Sequence, residues 1–131
     1  MKEPTWLSKV AILAIHGRLL AEHGGASGLR DDRLLESALA APKNHFEYDQ
    51  ADVFMLAATF AHALTSNPPF VDGNKRTAFA AAGNFLELNR HRLVASEADA
   101  VFAVLALSRG EMDAVGFSNW MKISSTPQNG A

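Results

Sequence analysis

Two long apolar segments dominate the pattern of hydrophobic and polar positions along the chain. Residues 52–66 are apolar on nearly every side of a helix, which is typical of a buried helix. Residues 74–88 form a second such segment, in which small residues permit close backbone approach while phenylalanine and leucine supply bulk. Pro68 and Pro69 separate the two segments, because proline ends the first helix. The pattern predicts a buried helical hairpin whose elbow is residues 67–73.

Capped or amphipathic segments flank this hairpin. They predict four further helices, at residues 6–22, 33–40, 96–109 and 113–122. Pro42 is expected to end the second of these, because a proline disfavours helical geometry in the residue before it. Residues 43–51 are then expected to form an exposed loop or a short hairpin. Residues 124–131 are polar, and a disordered tail is expected there.

The expected fold class is therefore all-α. Residues 1–123 are expected to form one compact single-domain helical array around the central hairpin, and the length suits one domain. His16, alone on the first helix, is interpreted as a satisfied structural group. Thr59, His62 and Ser66 make one polar stripe on the first hairpin helix. That stripe either faces the elbow or reaches the surface.

The elbow and the turn that follows collect the groups that phosphate chemistry requires. Asp72 offers a carboxylate for a divalent cation, and Gly73 lets the backbone approach a ligand closely. The next residues open a helix, whose first N–H groups are unpaired donors at the positive end of the helix dipole. Lys75 and Arg76 add a point charge and a bidentate fork for phosphate oxygens. The alternative is an ordinary Asp-Gly-Asn turn followed by a solvated helical face.

Composition narrows the function classes. The net charge of −2 gives no electrostatic basis for binding nucleic acid or an anionic membrane. The absence of cysteine excludes disulfides and thiolate zinc sites and is compatible with a reducing compartment. No signal peptide and no apolar run of about 18 residues is present, so a cytoplasmic location is expected. The five histidines show no H-E-x-x-H spacing and there is no G-x-S-x-G, which argues against hydrolase chemistry.

The elbow also resembles a family motif. The residues Asn67-Pro68-Pro69-Phe70-Val71-Asp72-Gly73-Asn74-Lys75-Arg76-Thr77-Ala78 resemble the H-x-F-x-[DE]-[AG]-N-[GK]-R signature of the Fic/Doc family, and lie nearest to its Doc (death-on-curing) toxins. Residues 28–39 resemble a second block of the Doc proteins. Lys75 and Phe79 favour the Doc branch over the AMP-transferring relatives. The match fails at Pro68, where the family has its catalytic histidine.

The resemblance implies an ATP- and Mg²⁺-dependent phosphotransferase of a toxin–antitoxin module. It implies that Asp72 holds the metal, that Phe70 anchors the loop, and that Pro68, Asp72, Lys75 and Arg76 stand at the catalytic positions. The implied nucleotide-binding residues are Gly73, Asn74, Lys75, Arg76 and Thr77. By resemblance the γ-phosphate goes to a hydroxyl of a protein target, elongation factor Tu, and translation and growth stop. Residues 43–51 are either the flap that aligns the target or a plain connector.

Several alternatives stay open at this point. Pro68 is either an inactivating change, one base away from a histidine codon, or the mark of a natural degenerate member. The chain is then a disabled kinase-type toxin, an AMP transferase, or a non-catalytic protein that binds a nucleotide or an antitoxin. No self-inhibitory [ST]-x-x-x-E-[GN] pattern occurs, so a small antitoxin in trans is expected to fold as a helix into an apolar groove near the loop. The oligomeric state is not predicted.

Overall fold

The predicted hairpin is the centre of the fold. The computed structural model describes residues 2–128, and its central pair is α3 (Val53–Ser66) and α4 (Asn74–Leu88). Their facing sides are buried, and three of the six buried residues of α4 are alanine, which lets the two backbones approach closely. Both helices end within a residue of the predicted limits. The all-α class and the hairpin are confirmed.

Asp52 caps α3. Its Oδ1 accepts the backbone N–H of Met55 at 2.9 Å, and its Oδ2 lies 3.2 Å from Nζ of Lys122. Burial raises the pKa of Asp52, but the Met55 N–H and the Lys122 ammonium stabilise the carboxylate, so its pKa lies below the ordinary value. Two members of the polar stripe of α3, His62 and Ser66, reach the surface. Thr59 is half-buried; its hydroxyl donates to the Met55 carbonyl at 2.8 Å and therefore accepts from Nδ1 of His45 at 3.1 Å.

The first two helices are α1 (Lys9–His23) and α2 (Asp32–Asp49). The prediction that Pro42 ends α2 was wrong, as was the loop, hairpin or flap at residues 43–51, since α2 continues to Asp49. A proline inside a helix costs about 3 kcal/mol. That cost is offset here because Pro42 is buried and α2 packs along α3, to which its second half is also hydrogen-bonded.

The C-terminal part returns to the hairpin. Strand β1 (His91–Leu93) is followed by α5 (Glu97–Ser108), α6 (Ala114–Ile123) and strand β2 (Ser125–Pro127). The strands pair antiparallel with Arg92 opposite Thr126, so the disordered tail expected at residues 124–131 is not found at the residues of β2. Local polarity suggested a tail, but the partner strand is more than thirty residues away and leaves no local signal. Residues 129–131 lie outside the described part, so the prediction has no outcome there.

Within residues 2–128, no helix combines the length and the apolar character needed to cross a bilayer.

Candidate functional site

The elbow of the hairpin is paired with a second segment of backbone. Residues 28–31, between α1 and α2, run antiparallel to residues 68–71, and Leu29 bridges Phe70. Val71 N–H donates to the Gly28 carbonyl at 3.0 Å, and Arg30 N–H donates to the Pro69 carbonyl at 2.7 Å. These bonds pair backbone N–H and C=O groups that would otherwise have no hydrogen-bond partner in the loop. The elbow is therefore a fixed element of the fold and holds the residues on it in defined positions.

Phe70 and Asn74 hold the elbow from inside. The ring of Phe70 is 2% exposed and stacks on the imidazole of His16, with centroids 3.7 Å apart and planes at 10°. The Asn74 side chain bonds both backbone groups of Phe70: its Oδ1 accepts the N–H at 3.0 Å and its Nδ2 donates to the carbonyl at 2.9 Å. Asn74 is thus a brace of the loop, and its side-chain amide is already occupied.

Asp72 lies at the surface of the elbow with its carboxylate held by backbone donors. Oδ1 accepts the N–H of Gly73 at 2.8 Å, and Oδ2 accepts the N–H of Ala26 at 3.2 Å. The Asp72 carbonyl accepts a hydrogen bond of 2.8 Å from Nε2 of His16. Each carboxylate oxygen keeps a further lone pair, so the group is oriented and still free to bind a cation.

Gly73 begins α4 in a conformation that suits glycine. Its φ is +79°, and no side chain caps the helix at this end. Lys75 and Arg76 in the first turn are exposed and form no ion pair with any residue from 2 to 128. Open N–H groups and two free cations at a helix N-terminus make a strong anion site.

A cleft of about 810 Å³ gathers most of the predicted site residues. One wall consists of Pro68, Asp72, Gly73, Asn74, Lys75 and Arg76. Phe70 and Thr77 do not line it. Thr77 is fully buried, and its hydroxyl has no partner among the described residues. Of the predicted set, the structure thus brings six residues to one cleft and puts two behind them.

The cleft has a second wall, whose residues the sequence did not predict. It is mostly apolar and consists of α5 and the continuation of the Lys75 and Arg76 face of α4: Phe79, Ala80, Ala100, Val101, Val104 and Leu105. His23 and Glu97 also line the cleft. Their signal appears only in the folded chain: Val101 and Phe102 on α5 stay exposed, and an apolar helix face that stays exposed marks a binding surface.

Position 68 occupies the cleft without a titratable group. The Pro68 carbonyl accepts hydrogen bonds from the Arg30 side chain, from Nε at 3.2 Å and from Nη2. The backbone at this position is therefore clamped by a guanidinium. Proline itself has neither an N–H nor a group that could accept a proton.

The groups in the cleft fit Mg²⁺ and a polyphosphate. Among the described residues no cluster of three or more candidate ligands occurs, so a dedicated protein cage for a metal is not present there. Mg²⁺ commonly takes one or two carboxylates and completes its shell with water and substrate phosphates. Asp72 beside an open helix N-terminus suits that arrangement.

Comparison with known proteins matches the region that builds this site. The family model described as the Fic/DOC family matches residues 6–86, which include α1 to α3 and nearly all of α4. A protein named Toxin Doc from Mycolicibacterium smegmatis is 40% identical over 81 residues, covering 55% of this chain and 57% of the relative. Protein kinase doc from Escherichia phage P1 is 30% identical over 84 residues, covering 63% of this chain and 67% of the relative. The chain thus matches just over half the length of the first relative and about two thirds of the second.

Proposed function

This chain belongs to the Fic/DOC family, and we propose that it is the toxin component of a toxin–antitoxin module, built as a phosphotransferase that acts on a protein hydroxyl. The donor is ATP with Mg²⁺, the γ-phosphate is transferred, and the target by family resemblance is elongation factor Tu in the cytoplasm. In this sequence the reaction is disabled at Pro68. The name Protein kinase doc, carried by one relative, supports the phosphoryl-transfer reading.

The observation that carries the proposal is the cleft wall at the start of α4. Asp72, the uncapped N-terminus of α4, and the unpaired Lys75 and Arg76 meet on one side of a single cleft. If the first turn of α4 were only a solvated helical face, Lys75 and Arg76 would not be expected to line the same cleft. Here they converge on one space beside an oriented carboxylate, which is the arrangement that a magnesium–polyphosphate complex requires.

Each residue then has a defined task. Asp72 holds the metal, while the N–H groups of Gly73 and its neighbours and the side chains of Lys75 and Arg76 bind phosphate oxygens. When bound, Mg²⁺ neutralises negative charge that develops on the phosphates during transfer. Phe70 and Asn74 keep these groups in place through their contacts with the core and the loop backbone. Thr77 is fully buried and does not line the cleft, so its side chain is not assigned a contact with the ligand.

Position 68 is where a base would accept the proton of the target hydroxyl as its oxygen attacks phosphorus and ADP leaves. Such a base contributes about 10²–10⁴-fold to the rate. Proline cannot accept that proton, so binding is kept while transfer is lost. The rest of the loop is intact, which favours a single inactivating change over a site that has decayed.

The partner in trans is a small antitoxin. Apolar residues of α5 line the same cleft as Lys75 and Arg76, so the cleft suits an amphipathic helix that places apolar residues on α5 and acidic residues near the two cations. An antitoxin helix seated there would cover the nucleotide site. A neighbouring open reading frame whose product binds this chain and protects cells from an active form tests this part of the proposal.

Binding is tested by calorimetric titration with ATP and Mg²⁺. The parent chain should bind, and Asp72→Ala and Arg76→Ala should each weaken binding at least tenfold. Arg92→Ala is the charge-matched control, because Arg92 is exposed in β1 beyond the opposite end of α4. If the parent does not bind, or if Arg76→Ala binds no worse than Arg92→Ala, the site assignment is wrong.

Chemistry is tested by restoring the base. Pro68→His should transfer label from the γ position of ATP to purified elongation factor Tu, and Pro68→Gln should not, since glutamine can hydrogen-bond but cannot act as a base near neutral pH. Label transferred from the α position would show an AMP transferase. Binding without transfer from either position would favour the second candidate, a non-catalytic nucleotide-binding protein, which Pro68 itself suggests.

A further inference from the structure

His16 makes more contact with the elbow than a packing residue needs. It lies in the middle of α1, is 5% exposed, and touches three successive parts of the loop. Its ring stacks on Phe70, its Nε2 bonds the Asp72 carbonyl, and a Cβ added to Gly73 would come within 3.6 Å of the ring. A carbonyl can only accept, so Nε2 carries the proton and donates it.

The bond to Asp72 acts on the carboxylate through one peptide group. In a trans peptide the carbonyl and the following N–H point in opposite directions. Nε2 of His16 fixes the carbonyl of the peptide between Asp72 and Gly73 from the core side. The N–H of Gly73 is thereby directed outward, where it donates to Oδ1 of Asp72 at 2.8 Å. The orientation of the side chain at the surface thus depends on a buried ring.

We propose that His16 is a positioning residue for the metal-binding carboxylate. Through the Asp72 carbonyl it sets the peptide that holds Oδ1, and it keeps the uncapped start of α4 aimed into the cleft. This inference rests on the proposed function, because it takes Asp72 as the ligand of the magnesium that accompanies the nucleotide. The ring stack on Phe70 is a separate contribution, directed at the stability of the fold.

Substitutions at position 16 separate the two contributions. His16→Phe keeps an aromatic ring against Phe70 and removes the donor. His16→Gln removes the ring and keeps an N–H donor at nearly the same distance from the backbone. His16→Ala removes both. A purely structural role predicts that ligand binding follows the stability of each variant, with the Phe variant closest to the parent.

The experiment measures the affinity for ATP with Mg²⁺ by calorimetry and the urea midpoint of each variant. We expect His16→Phe to bind at least tenfold more weakly while unfolding nearer to the parent midpoint than His16→Ala does. His16→Gln should bind within about threefold of the parent, although its midpoint is lower. The inference is overturned if His16→Phe binds like the parent, or if folded His16→Gln binds no better than His16→Ala.

A ligand-free measurement keeps this result separate from the proposed function. The amide proton of Gly73 reports its bond to Asp72 in NMR spectra of the free protein, through the temperature coefficient of its chemical shift. The shift itself would also respond to the ring current of His16, so the coefficient is the quantity compared. It should become more negative in His16→Phe and His16→Ala, as for an amide that has lost its hydrogen bond, and stay near the parent value in His16→Gln. If the parent binds no nucleotide, the proposed function fails, and the Gly73 coefficient alone still decides whether His16 sets this peptide. An unchanged coefficient in His16→Phe overturns the inference.

Discussion

Replacing Gly25 by alanine should damage the candidate site, because Gly25 lies in a turn next to the carboxylate of Asp72. Gly25 has a φ of +121°, and a Cβ added there would lie 2.8 Å from Oδ2 of Asp72. Ordinary contact begins near 3.4 Å, so the carboxylate has to retreat by about 0.6 Å. The bond from the Ala26 N–H to the same oxygen would be lost in that movement.

The neighbouring glycine provides the matched control. Gly24 has a φ of +80°, and a Cβ added there meets nothing within 4 Å. Alanine at either position is strained by roughly 1–3 kcal/mol, because a positive φ disfavours a side chain. Both variants should therefore lose stability of that order in urea unfolding. The clash with Asp72 is specific to Gly25→Ala.

The two variants should separate in ligand binding. Magnesium tolerates little departure from octahedral geometry, and about 0.2 Å is the usual range for metal–ligand distances. A displacement of about 0.6 Å exceeds this range, so Gly25→Ala should weaken binding of ATP with Mg²⁺ by a factor of ten or more, about 1.4 kcal/mol. Gly24→Ala should bind like the parent at a temperature where both are folded. Equal affinities for the two variants would refute the reasoning.

Three further outcomes are expected. Asp52→Asn should keep α3 capped but reduce the loss of stability in acid. Folding lowers the pKa of Asp52 below its ordinary value of 3.8, so the carboxylate stabilises the fold above that pH. This stabilisation is lost as the pH falls through the lower pKa of the folded state. Urea midpoints between about pH 6 and pH 3 check this, and an unchanged pH dependence contradicts it. Leu64→Ala, at a fully buried position of α3, should destabilise the fold by about 2–5 kcal/mol in urea unfolding, and a loss under about 1 kcal/mol would show that α3 is not central. Arg30→Ala should lower the free energy of unfolding by about 1–2 kcal/mol and, combined with Pro68→His, reduce label transfer. Arg30→Lys keeps one donor for the Pro68 carbonyl and should lose less stability and less transfer. Equal losses in the two variants would contradict the role of Arg30 in holding this carbonyl.

The parts of the fold that sequence predicted well are those with a strong local pattern. The prediction of the α3 and α4 hairpin is accurate, because helices that are apolar on nearly every side must be buried and the prolines mark the elbow between them. The predicted start of α5 at Ser96 also holds, because Ser96 caps the helix that directly follows it. In each case the residues that decide the structure are neighbours in the chain.

The errors follow from contacts that are distant in sequence. Pro42 locally favours a helix end, and only the packing of α2 along α3 reveals that the helix continues. His16 was interpreted as structural, which its burial agrees with, but nothing local indicates that it bonds a residue 56 positions away. The motif located one wall of the cleft. The wall from α5 could be found only once the chain was folded, since its residues look like ordinary core.

The antiparallel contact between residues 28–31 and the elbow also has a consequence for the order of folding. The bonds that shape the elbow join partners such as Arg30 and Pro68, which are 38 residues apart, so closing them requires a large loss of chain entropy. Helices can form before that closure, and far-ultraviolet circular dichroism would already be nearly native. Nucleotide binding would appear only when α1 and the following turn have docked. A state in which α1 has detached would keep most of the circular dichroism signal of the helices and lose the candidate site. Ligand binding therefore reports whether α1 and the elbow have docked, which circular dichroism does not.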